Sequence, residues 1–522
     1  MLSKIYSAAV SGISAIPVTI EVNVSPTGRE TAGRMVIVGL PDNSIKESQS
    51  RIEAARANSG LSLPPQNVTV NLAPGDIRKE GTGFDLPIAI GILAANFMVA
   101  QDKFSRFMIL GELSLDGSLQ PIRGALPIAI KARELGYEGL IVPQQNVYEA
   151  AVVNKLKVYG ATTMQQVMDF LNGIPDVLHP TVVDTRAEFY AHQGEYDIDF
   201  SEVRGQESVK RAFEIAAAGG HNLIMVGPPG AGKSMMARRL PTILPPLSLA
   251  ESLETTQIHS VAGQLKSGMG LITERPFRSP HHTVSQVGLA GGTSQAKPGE
   301  VSLAHNGVLF LDEFTEFSRA SLEILRQPLE DRKITITRAQ GTVEYPCSFM
   351  LVASMNPCPC GYYGDPYHHC TCSPGQISRY LSKISGPLLD RIDIHCEIQA
   401  VPFAELSKMQ PGEPSSAIRE RVIAARKIQE DRFKPYKGIH CNAQMTERML
   451  HQFAEPDAAS LDMLRMAMEK LKLSARAYSR ILKVARTIAD IAGSEKVESM
   501  HIAEAIGYRN LDRGDWAERG VV

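Results

Sequence analysis

The chain has 522 residues, more than one ordinary hydrophobic core serves, so roughly three to four folded units are expected. Its 54 Lys plus Arg nearly cancel its 56 Asp plus Glu, which excludes a global basic field for nucleic acid; any such binding has to be local. The longest apolar run, Leu86 to Ala100, is interrupted by Asn96 and falls short of the roughly 20 residues a membrane span needs. The N-terminus lacks the apolar stretch of a signal peptide, so a soluble cytoplasmic protein with no membrane partner is expected.

Residues 1–170 alternate β-branched runs (VTIEVNV, RMVIVGL, NVTVNL, RFMILGEL, GLIVP) with helical stretches such as SIKESQSRIEAARANS and ALPIAIKARELG. That alternation predicts an α/β domain. Residues 171–200 carry two prolines, scattered acids and no clear periodicity, which suits a linker. Alternation of strand and helix returns over residues 201–402, a second α/β unit, and helix formers dominate residues 403–522, so a helical domain closes the chain.

In HNLIMVGPPGAGKSMMARRL an apolar strand precedes the candidate nucleotide-binding residues Gly227, Pro228, Pro229, Gly230, Ala231, Gly232, Lys233, Ser234 and Met235, and a helix follows. The pattern is that of a phosphate-binding loop for ATP: glycines turn backbone N–H groups inward, Lys233 reaches the β and γ phosphates, and Ser234 offers its hydroxyl to Mg²⁺. A glycine-rich turn without ligand is the bland alternative, and the flanking strand and helix argue against it. Downstream, GVLFLDEF is an apolar strand ending in Asp312 and Glu313, where one carboxylate completes the Mg²⁺ shell and the next orients an attacking water. A third strand, FMLVASMNP, ends at Asn356, suited to holding the water or the γ phosphate. Arg391 in GPLLDRIDIH, and Arg476 and Arg480 in LSARAYSRILK, are candidates to stabilise charge on a leaving phosphate; each has a structural salt bridge as its rival reading, favoured for Arg480.

Between Asn356 and Gln376 stand Cys358, Cys360, Cys370 and Cys372, in a stretch rich in Gly, Pro, Tyr and His. Two C-x-C pairs on such a loop can bring four thiolates to one tetrahedral Zn²⁺, with His368 and His369 as possible substitutes and free thiols or a redox pair as rivals. Cys347, Cys396 and Cys441 are scattered and carry no assigned chemistry.

The order GPPGAGKS, LFLDE, SMNP, LLDRID and S-x-R-A resembles AAA+ ATPases over residues 200–510, specifically the branch that holds the magnesium-chelatase ATPase subunit and the MCM helicases. The resemblance implies that Lys233 and Ser234 are the Walker A residues, Asp312 and Glu313 the Walker B pair, and Asn356 sensor 1. It makes Arg391 a finger acting in trans and Arg476 sensor 2. It also implies a homo-oligomeric ring, usually a hexamer, with ATP between subunits. FRSPHHTVSQVGLAGGTSQAKPGE lies where this branch inserts a loop into its second helix, and DRKITITRAQGTVEYPC reads as a β-hairpin with Ile334, Ile336, Val343 and Tyr345 at period two. In related helicases both elements touch DNA in the channel, which makes Lys297, Lys333 and Arg338 the expected local positive charge; a solvated hairpin is the alternative.

Residues 15–150, with KEGTGFDLPIAIGILAA and the stretch ILGELSLDGSLQPIRGALPIAIKARELGYEGLIVPQQNV, are similar to the Lon protease domain. Gly83 and Leu126 fall where that family has its serine nucleophile and lysine base, so no active protease is expected. The whole combination resembles the YifB/ComM family of Mg-chelatase-like proteins. That implies an ATP hydrolase coupled to DNA translocation, such as branch migration in recombination and natural transformation; remodelling of a partner protein, as by the chelatase subunit, is the competing expectation.

Overall fold

The computed structural model describes residues 2–27, 33–191, 193–194, 196–266, 268–292, 296–338, 341–400, 410–471, 473–509 and 511. Its N-terminal part is built on an eight-stranded sheet drawn from β1 (Leu2–Ser11), β2 (Ser14–Pro26), β3 (Met35–Val38), β4 (Gln66–Ala73), β5 (Phe107–Ile109), β8 (Gly139–Pro143), β9 (Lys157–Ala161) and β10 (Pro180–Thr181). The order is β10-β9-β8-β5-β1-β2-β4-β3, and β6 (Glu112–Leu113) and β7 (Leu119–Gln120) form a separate small ribbon. Register follows side-chain alternation: Ile20 opposes Leu72 and Val22 opposes Val70, and all four are buried. The long apolar run forms the helix Asp85–Ala95, every residue of which is buried. It is apolar all round because protein surrounds it; among the described residues no helix is long and apolar enough to cross a membrane.

Residues 171–200, linker-like in composition, carry β10 and the helix Thr185–Ala191. β10 extends the first sheet by pairing with β9, and the fully buried Phe189 and Phe200 anchor the segment at either end of its polar stretch. Two aromatic anchors are enough to fix a chain that shows no periodicity.

The second sheet contains β11 (Leu223–Val226), β12 (Phe277–Arg278), β13 (Val308–Leu311), β16 (Met350–Met355) and β17 (Ile394–Glu397) in the order β12-β13-β16-β11-β17. Every pairing is parallel, and β11, β13 and β16 are wholly buried, which explains their continuous apolar runs. All five strands therefore present their C-terminal ends at one edge, the side where open parallel sheets bind ligands.

Between β13 and β16 stands the expected hairpin, β14 (Lys333–Arg338) with β15 (Gly341–Pro346), pairing Ile334 with Tyr345 and Ile336 with Val343. Its apolar face packs on Leu289, Ala290 and Ala296 and on Ile13 from the β1–β2 turn. A Cβ on Gly12 (φ +60°) would lie 3.0 Å from Val343 Cγ1, so the turn and the hairpin approach as closely as glycine permits.

The C-terminal helices Ser415–Phe433 and Ala475–Ile491 pack on the helix Glu207–Gly219. Arg426 donates to the carbonyls of Ala217 and Ala218 at the C-terminus of that helix, and Gln429 also reaches Ala218, so side chains satisfy groups the helix cannot.

Candidate functional site

β11 ends at Val226, and residues 227–232 turn into the helix Lys233–Ile243, with Gly230 (φ 78°) and Gly232 (φ 88°) in left-handed backbone. A Cβ on Gly227 would stand 2.3 Å from the Ile398 carbonyl oxygen, so the end of β17 requires glycine there. Lys233 Nζ donates to the carbonyls of Gly227 (2.6 Å) and Pro228 (2.9 Å) and to Asn356 Oδ1 (3.1 Å). Burial pushes its ammonium down to about 8.

Ser234 Oγ donates to Asp312 at 2.7 Å, and Ser354 of β16 donates to the other carboxylate oxygen, so Asp312 is held at both oxygens. Glu313, in left-handed backbone at φ 51°, faces His282 Nδ1 at 3.1 Å. Lys233, Ser234, Asp312 and Asn356 thus converge at the C-terminal ends of β11, β13 and β16. A cation, a hydroxyl, a carboxylate and an amide beside a glycine turn can hold a metal-bound triphosphate.

The arginines lie elsewhere. Arg391 precedes β17, at the opposite edge of the sheet; it donates to Pro387 O (2.6 Å), pairs with Glu330 (2.7 Å), and its buried Nε has no partner among the described residues. Arg476 pairs with Asp390 at 3.6 Å, and Glu330 feels both guanidinium groups. Neither residue approaches the phosphate loop of its own chain. Arg480 stands in a buried ion pair, 2.9 Å from Asp393, which also meets His221 (3.3 Å) and the Asn222 N–H (3.2 Å). Burial lowers the His221 imidazole below its ordinary value, against the pull of Asp393, and its Nε2 meets Thr487 Oγ1 at 2.8 Å.

The four loop cysteines converge: Cys358 Sγ lies 3.3 Å from Cys360 and 3.7 Å from Cys370, Cys360 lies 3.5 Å from Cys370, and all four sulfurs fall within 4.8 Å of one another. Four thiols at these distances could hold a metal ion. His368 turns to Asp365 (3.4 Å) instead. The loop rests on the phosphate loop, since a Cβ on Gly361 would come 2.8 Å from Pro229 Cδ. Cys347, Cys396 and Cys441 are buried apart from this cluster, and burial pushes the first two thiols up.

Gly83 and Leu126 border the N-terminal sheet without polar side chains; Leu126 is fully buried and its N–H donates to Glu149 at 3.0 Å. A cavity of about 470 Å³ lies beside Gly83 and is shared with Lys297. Lys297, the expected positive charge of the insert, is half-buried, between Glu80 and Arg123 of the N-terminal part. The reason is local, because Gly292 N–H bonds the Lys297 carbonyl and Gly291 bridges Pro298, folding the residue back onto the body. Lys333 pairs across the hairpin with Glu344 at 2.9 Å. The Arg338 side chain lies outside what is described.

Sequence reading overlooked Ser354, His282, Glu330 and Asp390. Ser354 had a signal, being the polar residue inside the apolar strand MLVASM; His282 and Glu330 are polar residues among polar neighbours, and Asp390 lies beside Arg391 with nothing local to name Arg476 as its partner.

Comparison with known families places residues 199–406 in the family described as magnesium chelatase, subunit ChlI, residues 20–146 in that of subunit ChlI of Mg-chelatase, and residues 412–509 in its C-terminal family. Competence protein ComM of Haemophilus influenzae is 42% identical over 514 residues, 98% of either chain. YifB of Escherichia coli is 41% identical over 513 residues, again 98% of either chain. Lon protease 2 of Bacillus subtilis is 32% identical over 159 residues, 28% of this chain and 27% of its own.

Proposed function

The chain belongs to the YifB/ComM family of magnesium-chelatase-like AAA+ ATPases, and from that premise we propose that it is a ring-forming motor that couples ATP hydrolysis to movement along DNA. One observation carries the ring: Arg391 and Arg476 stand with Glu330 and Asp390 at the sheet edge opposite Lys233 and Asp312. A catalytic arginine on the far edge serves a neighbouring subunit's phosphate, so the site completes only between subunits, and the AAA+ resemblance implies a hexamer as the usual ring.

In this reading Lys233 exchanges the carbonyls of Gly227 and Pro228 for the β and γ phosphates. Ser234 and Asp312 would hold Mg²⁺, with Ser354 fixing the carboxylate. Held there, Mg²⁺ would supply charge neutralisation for the phosphates. Glu313 leaves His282 to orient water, and Asn356 holds that water against the γ phosphate. Arg391 of the neighbouring subunit meets the charge that develops, and Arg476 assists from its own helix.

The four cysteines fit Zn²⁺. Zinc–sulfur bonds of about 2.3 Å place tetrahedral sulfurs roughly 3.8 Å apart, and the observed separations of 3.3, 3.5 and 3.7 Å are close to that value. The metal would stiffen the loop that lies on Pro229. The N-terminal part, lacking a nucleophile at Gly83 and a base at Leu126, takes no proteolytic role.

DNA is supported as the substrate by the full-length likeness to a competence protein and by the hairpin. Remodelling of a partner protein is favoured by the chelatase family matches alone. ATP turnover measured with single strands, duplexes and four-way junctions tests the choice. DNA stimulation that falls with salt supports a motor gripping phosphates, and turnover indifferent to every DNA refutes it.

A further inference from the structure

At the sheet edge away from the phosphate loop, a cavity of about 140 Å³ opens between the base of the β14–β15 hairpin and the C-terminal helices. Arg275, Arg332, Arg426 and Arg480 line it, against the carboxylates of Glu251 and Asp393. Both acids are committed. Glu251 pairs with Arg275 and closes the capping box of its own helix, while Asp393 is shared by Arg480, His221 and the Asn222 N–H.

Arg275 gives its remaining donors to the carbonyls of Pro245, Pro246 and Asn306, and among the described residues Arg426 donates to the carbonyls of Ala217 and Ala218. Arg332 differs from both. It is half-buried, yet its guanidinium meets no acceptor among the described residues. It also holds left-handed backbone (φ 55°) at the C-cap of the helix Arg326–Asp331, immediately before β14. Burial and the neighbouring Arg480 push this guanidinium down, and burial together with Arg480 and Arg332 holds Lys483 at about 8.

A half-buried arginine with no carboxylate partner among the described residues, on backbone that a β-carbon disfavours, is unfavourable on both counts, and a bound anion would offset the first. The planar fork of arginine donors matches a tetrahedral oxyanion. We propose that this cavity is a phosphate-group site, separate from the nucleotide site, in which Arg332, Arg426 and Arg480 take the phosphate oxygens.

Full-length protein with its phosphate loop filled by ADP and Mg²⁺ is titrated with inorganic phosphate, against chloride at matched ionic strength, while thermal unfolding is followed. A ligand that binds the folded state raises the melting temperature in a saturable way. Arg332→Gln is expected to weaken this response about tenfold or more without changing ADP affinity. The same substitution is expected to raise the melting temperature in the absence of phosphate, because it removes an uncompensated charge. Arg332→Lys, which keeps the charge and loses the fork, should fall between. A thymidine oligonucleotide that displaces phosphate, and that Arg332→Gln weakens equally, identifies the occupant as strand phosphate; phosphate binding indifferent to it identifies a free phosphate or monoester. An Arg332→Gln protein with the full wild-type phosphate response, or wild-type protein that answers phosphate and chloride alike, overturns the proposal.

Discussion

Lys233 offers a test of the nucleotide site that depends on protons rather than turnover. Burial lowers its ammonium from 10.5 to about 8 in the free protein, and a bound triphosphate, by pairing with the charge, returns it to at least its ordinary value. Each pKa unit corresponds to about 1.4 kcal/mol, so the full linkage is roughly 3 kcal/mol. Near pH 7 the free lysine is already charged, whereas near pH 9 only about one molecule in ten carries the proton, so affinity for a non-hydrolysable ATP analogue should fall about tenfold between them. Near pH 8, calorimetry in buffers of different ionisation enthalpy should read an uptake of about half a proton per nucleotide. For folding of the free protein the sign is reversed. The unfolded chain keeps this proton between about pH 8 and 10.5 while the folded chain has lost it, so this group's contribution makes stability rise with pH across that window. Lys233→Met should bind weakly at every pH with no proton uptake. Flat affinity and no proton uptake in the wild-type protein would refute the placement of Lys233 against the phosphates.

Asp393→Asn removes the charge that holds Arg480 and His221 in a buried cluster, and should cost about 3–5 kcal/mol, read as a fall in the denaturation midpoint; a loss under about 1 kcal/mol would mean that the cluster is solvated. Elemental analysis should find about one zinc per chain, lost in Cys370→Ser together with loop order seen by hydrogen exchange; metal-free protein with the loop fully protected would rule the metal out. Arg391→Ala and Lys233→Ala chains should each be inactive in ATP turnover yet regain part of it when mixed, because mixed rings contain intact sites; no recovery in rings shown to mix would argue against an arginine acting across subunits.

The strands of both sheets were legible wherever β-branched residues ran together, as in VTIEVNV, and the phosphate loop was legible because its chemistry is contiguous. The arrangement of Arg391 and Arg476 on the far edge was not, since it depends on β11 and β17 running parallel, a pairing between residues 223–226 and 394–397. Residues 171–200 looked like a linker because two buried aromatics among polar neighbours produce no period. The surroundings of Lys297 were hidden for a related reason: nothing in a Gly-rich insert names its neighbours, and the pairing of Gly291 with Pro298 is what turns it toward Glu80. Ion pairs such as Arg480 with Asp393 join residues 87 apart, and nothing in either local sequence names the partner.

The parallel sheet also sets the order in which the chain can be completed during synthesis. The eight-stranded sheet draws only on residues 2–181 and can close while the remainder is still being made. β11 is synthesised next, but both of its neighbours come much later, β16 at residues 350–355 and β17 at 394–397. LIMV keeps both hydrogen-bonding edges open until β16 is made and one edge open until β17, some 170 residues after its own synthesis, the condition that makes non-local parallel sheets slow to form and prone to mispair. At ribosomal rates of about 5–20 residues per second that interval lasts on the order of ten to thirty seconds. Its nascent form is therefore a finished N-terminal sheet carrying an unfinished nucleotide site, and this is the species on which a chaperone would act.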